Sequence, residues 1–266
     1  MKKLSVFAIA IAAVVFAACT GNKTKNQDTP EAEKSFEQEQ IEASIKMHID
    51  SIAADLGKLK QLPFVQEDNG GLTLTAEEKQ VKPDYLLDPK VAEEATTLAE
   101  KYRILSALNV DKKIAALYEM PTDEYDKAIS KLAADINDPS FKVLDDANSI
   151  FETTSALYDA MNENGRINQF WQTAAAALVE QLYIVNQNSE KFLSVFNDEA
   201  ASNVTYRIVL ILDAVDRLAN YDPEIKPIAE AIAPLKVLNA TSLDELKSQL
   251  AEAKDNIAAA RKALVK

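Results

Sequence analysis

The sequence predicts an all-α fold, an irregular bundle of about seven to nine mostly antiparallel helices. Three observations point there. Apolar residues recur every three or four positions over long stretches, the period of a helix rather than a strand. Glycine is scarce: after Gly71 the only one is Gly165, which leaves little to build tight hairpins or phosphate-cradling loops. The apolar stretches are divided by short polar breaks that carry Asp-Pro or Ser N-cap signals.

At the start of the chain Lys2 and Lys3 precede an uncharged run from Leu4 to Phe16, followed by Ala17, Ala18 and Cys19. A positive end, an apolar run and small residues before a cut form a secretory leader. The run is shorter than the roughly 20 apolar residues a permanent span needs. Phe16-Ala17-Ala18-Cys19 resembles the lipobox of Gram-negative bacterial lipoproteins, with Phe16 where Leu, Val or Ile is usual. That resemblance covers only the first nineteen or so residues. It implies a leader over 1–18, cleavage before Cys19, and acyl chains on Cys19 that hold the chain to a membrane. Thr20 stands where an Asp commonly retains such lipoproteins at the inner membrane, so the resemblance implies the outer membrane, facing the periplasm. The rival reading is an ordinary leader cut after Ala17 or Ala18. It leaves Cys19, the only cysteine, as a lone thiol in a secreted protein. Residues 19–34 are polar and aperiodic, a tether that spaces the body roughly 20 Å from the lipid.

The body, 35–266, reads as one helical domain with possible sub-bundles 35–138 and 139–266. Ile41, Ile45, Ile49, Ile52, Leu56 and Leu59 stripe a first helix between about Glu31 and Gln61. From Leu62 to Leu87 prolines, Gly70-Gly71 and an alternating Leu72-Thr-Leu-Thr75 interrupt the pattern. This segment reads as a cover for one end of the bundle, or else a lid over a binding site. Val91, Ala95, Leu98, Tyr102 and Leu105 mark the next helix, with Asn109 and Pro121 dividing the region up to Asp138 into about three pieces. Asp88-Pro89, Asp138-Pro139 and Asp222-Pro223 are read as helix starts. Gly165 closes a helix from Pro139 to Asn164. Ile208 to Leu212 is apolar on all sides, the mark of a central helix. Pro227 and Pro234 kink or split the helix after Asp222. Ser242-Leu-Asp-Glu245 caps a last helix striped by Leu243, Leu246, Leu250, Ala253, Ile257 and Leu264. The three Asp-Pro starts are unequally spaced, so helical repeats are not supported.

Composition excludes several functions. The chain carries a formal charge of −13, and loss of Lys2 and Lys3 with the leader leaves −15. So acidic a body has no electrostatic route to nucleic acid, and anionic headgroups would repel it. His48 is the only histidine and falls on the first apolar stripe, a packing position; histidine triads and multi-histidine metal sites are therefore out. With Cys19 acylated, thiol chemistry is out as well. Glu77-Glu78, Glu93-Glu94 and Asp145-Asp146 are adjacent pairs, which point about 100° apart on a helix and form no acid/base dyad. Arg217 can pair with Asp213 at i, i+4; Arg103, Arg166 and Arg207 have no assigned partner. No catalytic, metal or cofactor residues emerge. The candidate contacts for a ligand or partner are Tyr85, Phe170 and Trp171, with a core role as the plainer reading for the last two. The functional expectation is a non-enzymatic structural or interaction module with a protein partner. A binding protein for a glycan, lipid or peptide is the alternative, and a carboxylate-only enzyme the third. Oligomeric state is left open.

Overall fold

The structure is a computed structural model, and it describes residues 36–66, 68–141 and 154–265. The leader, Cys19, the tether, Asp145-Asp146 and the middle of the expected Pro139–Asn164 helix lie outside the described residues. Among the described residues there are eleven α-helices and no strand. The all-α expectation holds, with more helices than expected because several are short. They are α1 Phe36–Lys58, α2 Ala76–Gln80, α3 Leu98–Leu117, α4 Asp123–Ile136, α5 Thr154–Glu163, α6 Ile167–Gln187, α7 Ser189–Phe192, α8 Asp198–Ala219, α9 Lys226–Ile232, α10 Leu243–Glu252 and α11 Lys254–Leu264.

The central helix is α6. It packs on α3, α5, α8 and α11 and also touches α7, α9 and α10, and it buries nearly every residue from Phe170 to Leu182. The expected central run, Ile208 to Leu212, is instead one side of an amphipathic α8. Ile208 and Ile211 are buried, but Val209 is 49% exposed. Five consecutive apolar residues span all azimuths of a helix, so the run alone cannot say which side meets solvent. Side chains of α3 and α6, on opposite sides of the proposed sub-bundle boundary, share one continuous core.

Helix starts differ from the Asp-Pro expectation in an instructive way. Asp88, Asp138 and Asp222 each accept a hydrogen bond from the backbone N–H two residues on, at Lys90, Ser140 and Glu224 (2.9, 2.8 and 2.8 Å). This closes an Asx-type turn that leads into the 3-10 turn Pro89–Glu93 after Asp88 and into the turn before α9 after Asp222; after Asp138 it opens the 3-10 turn Pro139–Phe141, where the described residues stop. The long helix after Asp88 begins instead at Thr97. There Thr97 and Glu100 form a reciprocal capping box, Glu100 N to Thr97 Oγ1 at 3.2 Å and Thr97 N to Glu100 Oε2 at 2.9 Å. The donors at Thr97 and Thr96 pull the Glu100 carboxyl down to about 2. Nor does Asn109 break this helix. Its amide donates to Leu105 O at 2.8 Å, and α3 runs through it. The expected last helix is two, α10 and α11, meeting at Ala253 without losing the stripe: Leu246, Leu250, Ala253, Ile257 and Leu264 are all buried.

Gly165 (φ +67°) ends α5 as expected, with Arg166 N bonded back to Met161 O at 2.7 Å. Segment 62–87 is anchored to the bundle through its apolar residues: Leu62, Phe64, Val65, Leu72 and Leu74 are buried. The Phe64 ring meets those of Phe192 and Phe196, with centroids 5.3 and 6.3 Å away. Ion pairs strap it from outside, Lys79 to Glu119 and Glu78 to Lys191. This is the geometry of a cover.

Candidate functional site

Beneath the end of that cover lies the most polar part of the interior. Asp111 of α3, Glu180 of α6 and Arg261 of α11 converge there, and the side chains of both acids are 0% exposed. Arg261 Nε and Nη2 grip Glu180 at 2.8 Å. Its Nη2 also donates to Tyr85 O at 3.1 Å, and its guanidinium stacks 4.0 Å from the Tyr183 ring centroid. Asp111 Oδ2 accepts Leu87 N at 2.8 Å, while Oδ1 meets no ordinary donor. Burial, then the neighbouring Glu180 carboxylate, pushes Asp111 well above the usual carboxylate range. Burial also raises Glu180, against the pull of Arg261. The consistent state has one proton between the two acids. It sits on Asp111, fills the place of the missing donor, and leaves a Glu180 carboxylate paired with Arg261. Burial alone would lower the Arg261 pKa, but its bonds to Glu180 outweigh that and raise it. With both acids closed off from solvent and Arg261 only 14% exposed, this set binds elements to one another. It fastens α3, α6 and α11 to the end of the cover, where Tyr125 also donates to Leu87 O at 2.9 Å.

Tyr85, one of the sequence candidates, touches this cluster through its backbone. Its hydroxyl is buried beside that of Tyr118, and burial raises its pKa. Phe170 and Trp171 lie elsewhere, 3% and 0% exposed. They form an edge-to-face group with Tyr158, with centroid distances of 5.0 to 6.2 Å. Trp171 is core. Phe170 is core on one side and lines a small cavity on the other. The structure does not bring the three candidates together.

The outer surface holds a second feature. Helices α1 and α8 run antiparallel, with His48 Nε2 3.6 Å from Asp213 and Lys60 Nζ 3.0 Å from Glu199. Along this pair Met47 (70%), Ile41 and Val209 (both 49%) and Tyr206 (44%) face solvent. His48 is itself exposed rather than packed, a correction to the stripe reading; Ile49, one position on, takes the buried place. Arg217 pairs with Asp213 at 2.9 Å as expected, and Lys46 with Asp50 at 2.9 Å.

Comparison with family models, curated proteins and solved structures finds no match. Among the described residues no helix is long and apolar enough to cross a membrane, and no group of three or more His, Cys, Asp or Glu is placed to hold a metal ion.

Sequence reasoning missed the buried triad because each member looks like a surface charge in its own segment. One signal was available. Glu180 stands inside Ala174–Leu182, a run with no other charge, where an acid must either be paired or stay protonated. Arg207, in the apolar half of α8, carried the same signal.

Proposed function

We propose that the chain is a lipid-tethered helical module that works by docking a protein partner on the α1–α8 face. The observation that carries this reading is that Ile41, Met47, Tyr206 and Val209, four of the large apolar side chains exposed among the described residues, all belong to this one antiparallel helix pair. Large apolar side chains grouped at the surface are characteristic of contact surfaces. The ion pairs flanking them, Lys46–Asp50 and Arg217–Asp213, would form the polar rim of such an interface. A charge of −15 after loss of the leader opposes both a second copy of the chain and an anionic lipid surface, and favours a partner with a neutral or basic face. Acyl chains on Cys19 would hold the module at the outer membrane within reach of a periplasmic partner, since two or more chains make attachment stable.

The test is site-specific photo-crosslinking in intact cells. A crosslinker at Met47 or Val209 should give one discrete adduct that is lost on Met47→Glu, Val209→Glu or addition of salt. A crosslinker at exposed Val81, on the cover, should not give it. An adduct formed equally from Val81, or none from α1 and α8, would sink the docking assignment. The anchor is tested separately: Cys19→Ser should move the protein from the membrane to the soluble fraction.

A further inference from the structure

A cavity of about 50 Å³ lies between α1, α3, α5, α6 and α8. Leu56, Leu157, Phe170 and Ile211 make its walls largely apolar, and Arg207, Gln181, Ser106, Thr154 and Thr173 bring polar groups to it. Arg207 is 7% exposed. Its Nη2 donates to Lys60 O at 2.8 Å, and its Nε has no partner. No acid among the described residues pairs with it. Burial alone draws the guanidinium down to about 10. Gln181 is 3% exposed and lines the same space. A guanidinium N–H without a partner and a buried carboxamide therefore border one small space. The hydroxyls of Ser106 and Thr173, which also line it, are already committed as donors: Ser106 Oγ donates to Thr173 O, and Thr173 Oγ1 to Gln169 O.

We propose that this cavity is a binding site for a small aliphatic monocarboxylate. The carboxylate would accept from Arg207 Nε and the Gln181 carboxamide, and the alkyl end would lie against Leu56, Leu157 and Phe170. Three features select this class. A buried guanidinium without a counter-charge is costly, and an anion removes that cost. A planar carboxylate matches the edge of a guanidinium. The space is small, and its apolar walls suit an alkyl group better than a heavily hydrated anion. The cavity is interior and the docking face is not, so the two sites are independent of each other.

Isothermal titration of the purified full-length protein with sodium propionate tests it, with propionamide, sodium chloride and sodium phosphate as comparison probes. Propionate should bind saturably at one site per chain, at least tenfold more tightly than propionamide, and neither chloride nor phosphate should displace it. Arg207→Lys should weaken binding about tenfold and Gln181→Leu several-fold. Arg207→Met should abolish binding while raising the melting temperature of the ligand-free protein, because it removes an uncompensated buried charge. That rise separates loss of the site from loss of the fold. Equal binding of propionate and propionamide, displacement by phosphate or chloride, no saturable propionate binding, or retained binding in Arg207→Met would each overturn the proposal.

Discussion

Arg261 reaches from α11 into acceptors arranged around it: both oxygens of Glu180, the carbonyl of Tyr85 and the face of Tyr183. Arg207 of α8 is more deeply buried yet meets a single carbonyl, that of Lys60. Arg103 falls between them, bonded to Leu264 O and Gln172 and in the field of Glu100 and Glu224. One bundle thus holds a guanidinium whose charge is answered from within and another whose charge is not. The first arrangement ties four parts of the chain together and leaves nothing to offer a ligand. The second weakens the fold locally and leaves a donor free. A buried charge supports stability only when its partner is also supplied, so the unanswered one is where binding is to be sought.

The largest effect expected from breaking this contrast is at Arg261. Arg261→Met should leave two buried acids without a cation and cost about 3–5 kcal/mol in urea unfolding. A loss under about 1 kcal/mol would mean that the acids need no counter-charge and that the two arginines do not differ in kind. Next comes Asp111. Its folded pKa is raised, so above the ordinary carboxylate range the native protein keeps a proton that the unfolded chain has released. Stability from this group is full below that range and falls as pH rises, by about 1–2 kcal/mol per pH unit until the native carboxyl ionises. Asp111→Asn keeps an acceptor for Leu87 N–H and a donor toward Glu180, and has no proton to lose. The variant should gain stability relative to the parent as pH is raised from about 4 to about 8. Parallel stability curves would place the shared proton elsewhere.

The stripes of α1 from Ile49 to Leu56 and of α10–α11 are legible in the sequence because burial and the 3.6-residue period coincide there, whereas Ile41, at the head of the first stripe, is exposed. Where sequence and structure part, a louder local signal hides the true one. Asp88-Pro89 outshines Thr97-Leu-Ala-Glu100, although only the latter satisfies two orphan N–H groups reciprocally. An Asp-Pro pair fixes a turn, and whether a helix comes after it depends on the next side chains finding a core. The polar interior is not legible at all, since Asp111, Glu180 and Arg261 are joined by packing across three helices. Phe170 stands out in the sequence as an aromatic contact, and it does line the cavity. What that contact requires, an arginine and a glutamine on α8 and α6, is concealed by sequence distance.

The smallest expected effect tests whether the cavity depends on how closely α1 meets α5. Gly57 approaches Ser155 so tightly that an added Cβ would stand 1.9 Å from Ser155 Oγ and 3.2 Å from its Cβ. The neighbouring Leu56 and Leu157 both line the cavity. Gly57→Ala therefore sets two influences against each other. Alanine favours the helix by roughly 1 kcal/mol over glycine, while overpacking costs about 1–3 kcal/mol. The Oγ can rotate away but the Ser155 Cβ cannot, so a net loss of about 1 kcal/mol is expected in urea unfolding. Ser155→Ala in the same chain should recover most of it by removing the oxygen. If propionate affinity falls in Gly57→Ala and returns in the double variant, the α1–α5 contact sets the cavity's dimensions. If affinity is unchanged while stability falls, the walls adjust independently and Arg207 with Gln181 suffices to define the site.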